Sequence, residues 1–239
     1  MRSLWKWVGR GFVALALAGM VAGAVAADNE LTPQEKKGGW ILLFDGKSMN
    51  DWMTSDWVTC DQALDEGSIN PEKCDKITNA GYIIYEREWA DFVLALDFKI
   101  GPRTNSGIIL RASPLKAIPE WPAGASSVEV QILDSQTADY HDTGAFYDLV
   151  KPTKNAQKPV GEWNHTEITC NKNFIDIVLN GEHVNHIDLN QWTRPYVRPD
   201  GTPHKYNIAF KYHPRRGYIA LQKHGGNVWF KNIKLKPLD

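Results

Sequence analysis

From residue 40 onward the chain breaks into short apolar runs separated by turn-forming residues. The clearest run is residues 92–99, where Phe92, Leu94, Leu96 and Phe98 alternate with Val93, Ala95, Asp97 and Lys99. Side chains of an extended backbone point to opposite faces in turn, so this period of two predicts a strand with one face on a core. Residues 40–44 and 81–85 form shorter runs, the first closed by Asp45, Gly46 and Lys47. Residues 163–171 and 174–179 lead into Asn180 and Gly181, a pair that tolerates the positive φ of a tight hairpin, and residues 183–189 return from it. Residues 205–212, 217–224 and 228–235 predict three more strands, with Gly225 and Gly226 turning between the last two. Apart from a helical turn expected around Leu31 to Pro33, no helical periodicity follows the N-terminal segment. Many short strands punctuated by turns predict an all-β sandwich or barrel. Residues 51–80, 113–126 and 135–162 are left as long loops, the usual carriers of function on a β scaffold.

Two further runs carry chemistry: NSGIILR (residues 105–111) and SVEVQILD (residues 127–134). In the first, Asn105, Gly107, Ile109 and Arg111 fall on one face. In the second, Glu129 and Gln131 share a face opposite Val128, Val130 and Ile132. A wet strand face needs only Ser, Thr or Lys; Asn, Arg, Glu and Gln together are able to hold and ionise a polyhydroxylated ligand. Glu129 is a candidate general base, given a pKa raised by burial. Arg111 is either a fixed cation for a developing oxyanion or one half of a structural ion pair. Gln131 and Asn105 suit paired contacts to neighbouring hydroxyls. Tyr147, beyond Tyr140, His141 and Asp142, is able to stack on a ligand or hydrogen-bond to it. Lys158, Gln222 and His224 complete the candidates, the last two sharing one strand face.

The N-terminus adds a different signal. Arg2, Lys6 and Arg10 precede an apolar stretch over residues 11–25 that ends in Ala24, Val25 and Ala26. A basic start, a short apolar middle and small residues at the exit predict a cleaved secretory signal over residues 1–26. The stretch is short for a bilayer span of about 20 residues. Residues 27–38 then form a polar leader and residues 39–239 one domain, delivered to the periplasm or secreted. Cleavage removes three basic residues and no acidic ones, taking the formal charge from −1 to −4 (24 basic against 28 acidic). A mildly acidic chain with no basic stripe excludes a nucleic-acid partner. No later run is long enough to cross a membrane as a helix.

Cys60 and Cys74 lie in a polar segment, where an oxidising compartment favours a disulfide; Cys170, in an apolar run, reads as a buried thiol. The phosphate-cradling loop, dinucleotide fingerprint, nucleophile elbow and HExxH motif are all missing. Asp134 sits at an odd offset from Glu129, so the two face opposite ways and form no paired-carboxylate glycosidase site. The residues call for no cofactor, and a divalent metal in Arg111's place stays open, since no ligand set decides it.

Eight motifs in order resemble one family, the 3-keto-disaccharide hydrolase domain. They are GWILLFDGK (39–47), DFVLALDFK (91–99), NSGIILR (105–111), VEVQILD (128–134), TGAFY (143–147), NAQKPVGEWN (155–164), LNG (179–181) and GYIALQKHG (217–225). The resemblance implies a concanavalin A-like jelly-roll β-sandwich of two antiparallel sheets, export, and action on glycosides oxidised at sugar C3. A C3 ketone acidifies the C2 proton, so one base removes it, the C1 substituent is expelled, and water adds back. That chemistry suggests Glu129 as base, Arg111 at the enolate oxygen and His224 as acid. Asn105, Gln131, Tyr147, Lys158 and Gln222 would position the sugar. The alternative is a non-catalytic, lectin-like carbohydrate-binding module of the cell envelope. Either way the partner is a small-molecule carbohydrate.

Overall fold

The computed structural model describes residues 27–112 and 127–238; the expected signal segment and the loop over residues 113–126 lie outside them. Among the described residues, five strands form one antiparallel sheet and eight form another. The smaller sheet orders β2 (Trp52–Thr54), β5 (Gly81–Tyr85), β12 (Tyr218–Lys223), β7 (Asn105–Ala112) and β8 (Val128–Leu133). The larger runs β11 (Glu182–Asp188), β10 (Phe174–Leu179), β9 (Trp163–Asn171), β6 (Phe92–Ile100), β13 (Val228–Pro237), β4 (Ser68–Ile69) and β3 (Leu64–Asp65). β1 (Ile41–Leu42) pairs with β13 at Lys234 and Leu235. The result is an all-β sandwich, as the alternating pattern predicts, with the jelly-roll arrangement of two antiparallel sheets that the family resemblance implies.

The core lies between the sheets. Phe92, Leu94, Leu96 and Phe98 of β6 meet Ile108 and Leu110 of β7, Val128, Val130 and Ile132 of β8, and Ile219 and Leu221 of β12 in one cluster. Each is essentially removed from water, and a fully buried aliphatic or aromatic side chain contributes about 1.5–3 kcal/mol. These are the members of each alternating run that the pattern assigned inward. Their partners on β7, β8 and β12 are therefore turned to the outer face of the smaller sheet.

Two local differences from the sequence reading matter, in residues 205–212 and 51–80, while the Cys60–Cys74 disulfide and a helical turn in the leader are as expected. Residues 205–212 are not a strand: they are an irregular extended segment ending in a 3-10 turn, Phe210–Tyr212. Their alternation is real, with His204, Tyr206, Ile208 and Phe210 buried, but among the described residues no strand pairs with them. Residues 51–80 contain β2, β3 and β4 as well as loop, and Cys60 and Cys74 are joined by a disulfide. The leader forms a short helix, α1 (Pro33–Lys37), started by a capping box in which the Thr32 side chain accepts from the Glu35 N–H and Glu35 accepts from the Thr32 N–H. Cys170 is buried and free, and burial pushes its thiol up to about 12, which leaves it an inert packing residue.

Candidate active site

β7 and β8 pair with Ile109 opposite Glu129 and Gly107 opposite Gln131. Side chains at paired positions share a face, so Asn105, Gly107, Ile109, Glu129 and Gln131 lie together on the outside of the smaller sheet. β12 adds Gln222, paired with Tyr82 of β5. His224 follows two residues on and is exposed at the sheet end. The loop after β8 then closes one side. Tyr147 donates its main-chain N–H to the Glu129 carbonyl (3.0 Å), and Gln131 N–H donates to the Ala145 carbonyl (3.0 Å). The extended segment at residues 204–208 stands beside it. The Lys205 ammonium lies 4.0 Å from the Tyr147 ring centre and 5.2 Å from that of Tyr206, and the Tyr206 hydroxyl donates to the Tyr147 carbonyl (3.1 Å).

Glu129 is the centre of this arrangement. It is 7% exposed, and burial pushes its carboxyl pKa up from 4.5 to about 7. Lys205, His224 and a hydrogen bond from Gln222 pull the other way without cancelling the desolvation. The Gln131 amide turns its nitrogen to Glu129 Oε1 and the Ser106 carbonyl, both at 3.2 Å, in the orientation that leaves its oxygen facing the Asn105 amide at 3.1 Å. Gln222 also hydrogen-bonds the Tyr82 hydroxyl, while its own Oε1 is buried with no partner among the described residues. Burial, then the Glu129 charge, raises the pKa of Tyr82 and of Tyr147. Partial desolvation lowers that of Lys205, opposed by Glu129 and Asp148. One carboxyl that titrates near neutrality thus faces an ammonium, two phenols and three amides: the equipment for moving one proton beside a polyol.

Gly107 leaves the room that Glu129 uses. A Cβ placed there would stand 2.6 Å from Glu129 Oε1 and 3.0 Å from its Cγ. Gly107→Ala is therefore expected to fold normally by circular dichroism, yet lose about 100-fold in kcat, the scale of a reacting group displaced by about 1 Å. Normal turnover by that variant would mean that the carboxylate position does not matter.

Two of the expected site residues lie elsewhere. Arg111 is not on the Glu129 face. β7 holds one extra residue against β12, with Ala220 opposite Ile109 but Tyr218 opposite Ala112. Arg111 sits in this bulge at φ +50°, which turns its side chain off the outer face. It is fully buried, and it donates to the Ala90 carbonyl (2.9 Å), the Lys172 carbonyl (2.8 Å) and Asp91 Oδ1 (2.9 Å). Lys158 is on an exposed loop beside β9, where its ammonium donates to the Trp163 carbonyl (2.9 Å). Asn105, Glu129, Gln131, Tyr147, Gln222 and His224 do converge. Lys205, Tyr206 and Tyr82 join them without having been singled out. For Tyr82 the signal was present, since the 81–85 strand puts it two residues from Ile84 on one face. Among the described residues no group of three or more His, Cys, Asp or Glu side chains is arranged to hold a metal ion, and no helix is long and apolar enough to cross a membrane.

The disulfide supports the site from one end. Lys223 donates to the carbonyls of Cys74 (2.8 Å) and Ile77 (2.7 Å), and Glu72 accepts the N–H groups of His224 (2.9 Å) and Gly225 (2.8 Å). The loop closed by Cys60 and Cys74 thereby fixes the turn on which His224 stands.

Residues 39–236 match the family model of the 3-keto-alpha-glucoside-1,2-lyase-like domain, and the chain belongs to that family. It is 28% identical, over 231 residues, to a 3-keto-disaccharide hydrolase of Bacteroides thetaiotaomicron, covering 84% of this chain and 79% of that protein. Two crystal structures of proteins provisionally named glycosyl hydrolases, both from Parabacteroides distasonis, share the fold. One is 30% identical with a TM-score of 0.69, covering 83% of this chain and 99% of the other. The second is 24% identical with a TM-score of 0.73, covering 89% and 100%. The family and its relatives support a glycoside-cleaving hydrolase acting on carbohydrate.

Proposed function

We propose that this protein cleaves glycosides carrying a ketone at sugar C3, by proton abstraction, elimination and hydration. The observation that carries the reading is Glu129 itself: a buried carboxyl, titrating near 7, with Lys205 and His224 as the charged groups acting on it. A lectin has no use for a raised carboxyl, whereas a general base working near neutral pH requires one. A one-base elimination needs what is present.

Glu129, deprotonated, takes the proton from C2. The C2–H bonding pair becomes the enolate, whose charge falls on the C3 oxygen. The Lys205 ammonium, held over the Tyr147 ring, supplies the positive charge for that oxygen, the role that the 3-keto chemistry implied by the resemblance had suggested for Arg111. The enolate re-forms the ketone as the C1–O bond breaks, and the leaving oxygen takes a proton from His224 or from water. The oxygen of a water molecule then adds to C1, its released proton restoring the one given to the leaving group, and Glu129 returns its proton to C2. Asn105, Gln131 and the unpartnered Gln222 Oε1 offer the donors and acceptor that orient the ring hydroxyls. We further propose that the protein works outside the cytoplasm, a reading supported by the disulfide and by the N-terminal signal pattern.

Incubation with 4-nitrophenyl 3-keto-glucoside in deuterated water tests the reaction. The expected result is release of nitrophenol with deuterium at C2 of the sugar product, and no release from the unoxidised glucoside. Equal cleavage of both glucosides with no C2 label would replace elimination by direct displacement.

A further inference from the structure

A second cavity, of about 390 Å³, opens on the far side of the loop that carries Tyr147. Its walls are Tyr140, Leu149 and Trp192, with Arg198 at the base and Lys151, Gln191 and Asp200 around the rim. The volume falls within the range of small-molecule sites, roughly 300–1,000 Å³. We infer that this cavity is a distal sugar subsite, taking a further neutral pyranoside ring of the same substrate. The inference rests on the proposed function for its link to Glu129, but not for the binding it predicts.

The charges decide the class of ligand. Arg198 is buried, and its donors are spent on the carbonyls of Leu149 (3.2 Å) and Asp148 (2.7 Å), on Asp148 Oδ1 (3.0 Å) and on the Pro203 carbonyl. It therefore offers no free fork to an anion. Asp188, which also lines the cavity, accepts from Asn173 (2.6 Å), the Asn190 N–H (3.0 Å) and Gln191 (3.3 Å). It is equally spoken for, so the interior of the cavity holds no bare carboxylate for a cation. At the rim, Lys151 and Asp200 are exposed and of opposite sign, with the Gln191 amide alongside. The walls are apolar: Leu149 and Trp192 are buried, and the Tyr140 ring is held against the Arg198 guanidinium at 4.0 Å. An apolar wall with a ring of mixed donors and acceptors fits a sugar, whose ring face is C–H and whose edge is hydroxyl.

The two sites share one wall. Asp148 accepts Arg198 on the cavity side, and its other carboxylate oxygen accepts the Lys205 N–H (2.7 Å) on the Glu129 side. Asp148 N–H donates to the Tyr140 carbonyl (2.9 Å), while the next residue back, Tyr147, is bonded to the Glu129 main chain. A substrate longer than the reacting ring thus meets the second cavity just beyond the Tyr147 and Asp148 step. Ordering of the loop by a distal ring would also fix Tyr147 and Lys205.

The experiment titrates maltotriose and cellotriose, unoxidised, into the wild-type protein and into Glu129→Gln, Tyr140→Ala and Gln191→Ala variants, by calorimetry. Binding of one trisaccharide to wild type and Glu129→Gln alike is expected, weakened about tenfold by Tyr140→Ala, the effect of losing about 1.4 kcal/mol of stacking. Gln191, exposed at the rim, is expected to weaken it about threefold on replacement without any effect on folding. The same variants should raise KM for the 3-keto form of that trisaccharide and leave methyl 3-keto-glucoside unaffected. If neither trisaccharide binds wild type, or if both cavity variants bind it as wild type does, the subsite is overturned. Binding without cleavage of any 3-keto sugar would instead overturn the proposed reaction and keep the subsite.

Discussion

Glu129→Gln is expected to lose about 1,000-fold in kcat/KM on a 3-keto-glycoside, the middle of the range for removal of a general base. The amide keeps the shape and the contact with Gln222 but accepts no proton. The wild-type pH profile should bear the same signature. A carboxyl raised to about 7 is protonated and idle at pH 5, so kcat/KM should rise with pH and level off above about 7. Stability should move the opposite way. Between pH 4.5 and about 7 the folded protein holds a proton on Glu129 that the unfolded chain has released, so each step up in pH favours unfolding. The contribution is fully present below the unfolded pKa and lost as pH rises through the folded one. Above pH 7 the ionised, buried carboxylate costs up to about 3 kcal/mol. Glu129→Gln escapes that cost, so urea denaturation should find the variant more stable than wild type at pH 8 and equal to it near pH 4. A variant that is inactive but no more stable at pH 8 would mean that Glu129 is well solvated when ionised, and its raised pKa would need another cause.

The alternation of β7 and β8 placed Asn105, Glu129 and Gln131 together because strands in register keep their faces. Ile109 pairs with Glu129 and Gly107 with Gln131, so the outer face follows from counting by twos. The count fails at Arg111 for a local reason. One extra residue at positive φ shifts everything beyond Leu110 by one face, and nothing in NSGIILR distinguishes a bulged arginine from a regular one. The segment over residues 204–210 fails in the converse way. Its burial alternates as in a strand, but alternation reports an extended backbone with one side against protein, not a ladder partner. Here that side is an aromatic cluster, with Phe210 edge-on to Tyr206 at 5.3 Å and to Trp192 at 6.3 Å. Freed from a sheet, the segment lifts Lys205 over Tyr147 and brings it to Glu129. That encounter depends on loop packing between residues far apart in the chain, which no short-range period records.

Arg111→Ala is expected to leave the protein largely unfolded or insoluble, with a loss of about 3–5 kcal/mol, as for breaking one side of a buried ion pair. The side chain ties the two sheets. Its bulge belongs to β7, whereas Ala90 and Asp91 lead into β6 and Lys172 turns between β9 and β10. Asp91 Oδ1 also accepts the Lys172 N–H (2.8 Å), so removing the guanidinium strands a carboxylate and two carbonyls together. Gly217 leaves no slack for the bulge to relax, because a Cβ there would already stand 2.5 Å from the Arg111 carbonyl carbon. Arg111→Met fills the volume without the donors and should fall between the two, still folded but with a lower Tm. Turnover separates this role from a catalytic one. An electrophile at the enolate would, on replacement, cut kcat in a protein of normal Tm. A cross-sheet tie should instead cut Tm while the folded fraction of Arg111→Met, counted by active-site titration, turns over at the wild-type kcat. The first outcome would return Arg111 to the reaction and displace Lys205 from it.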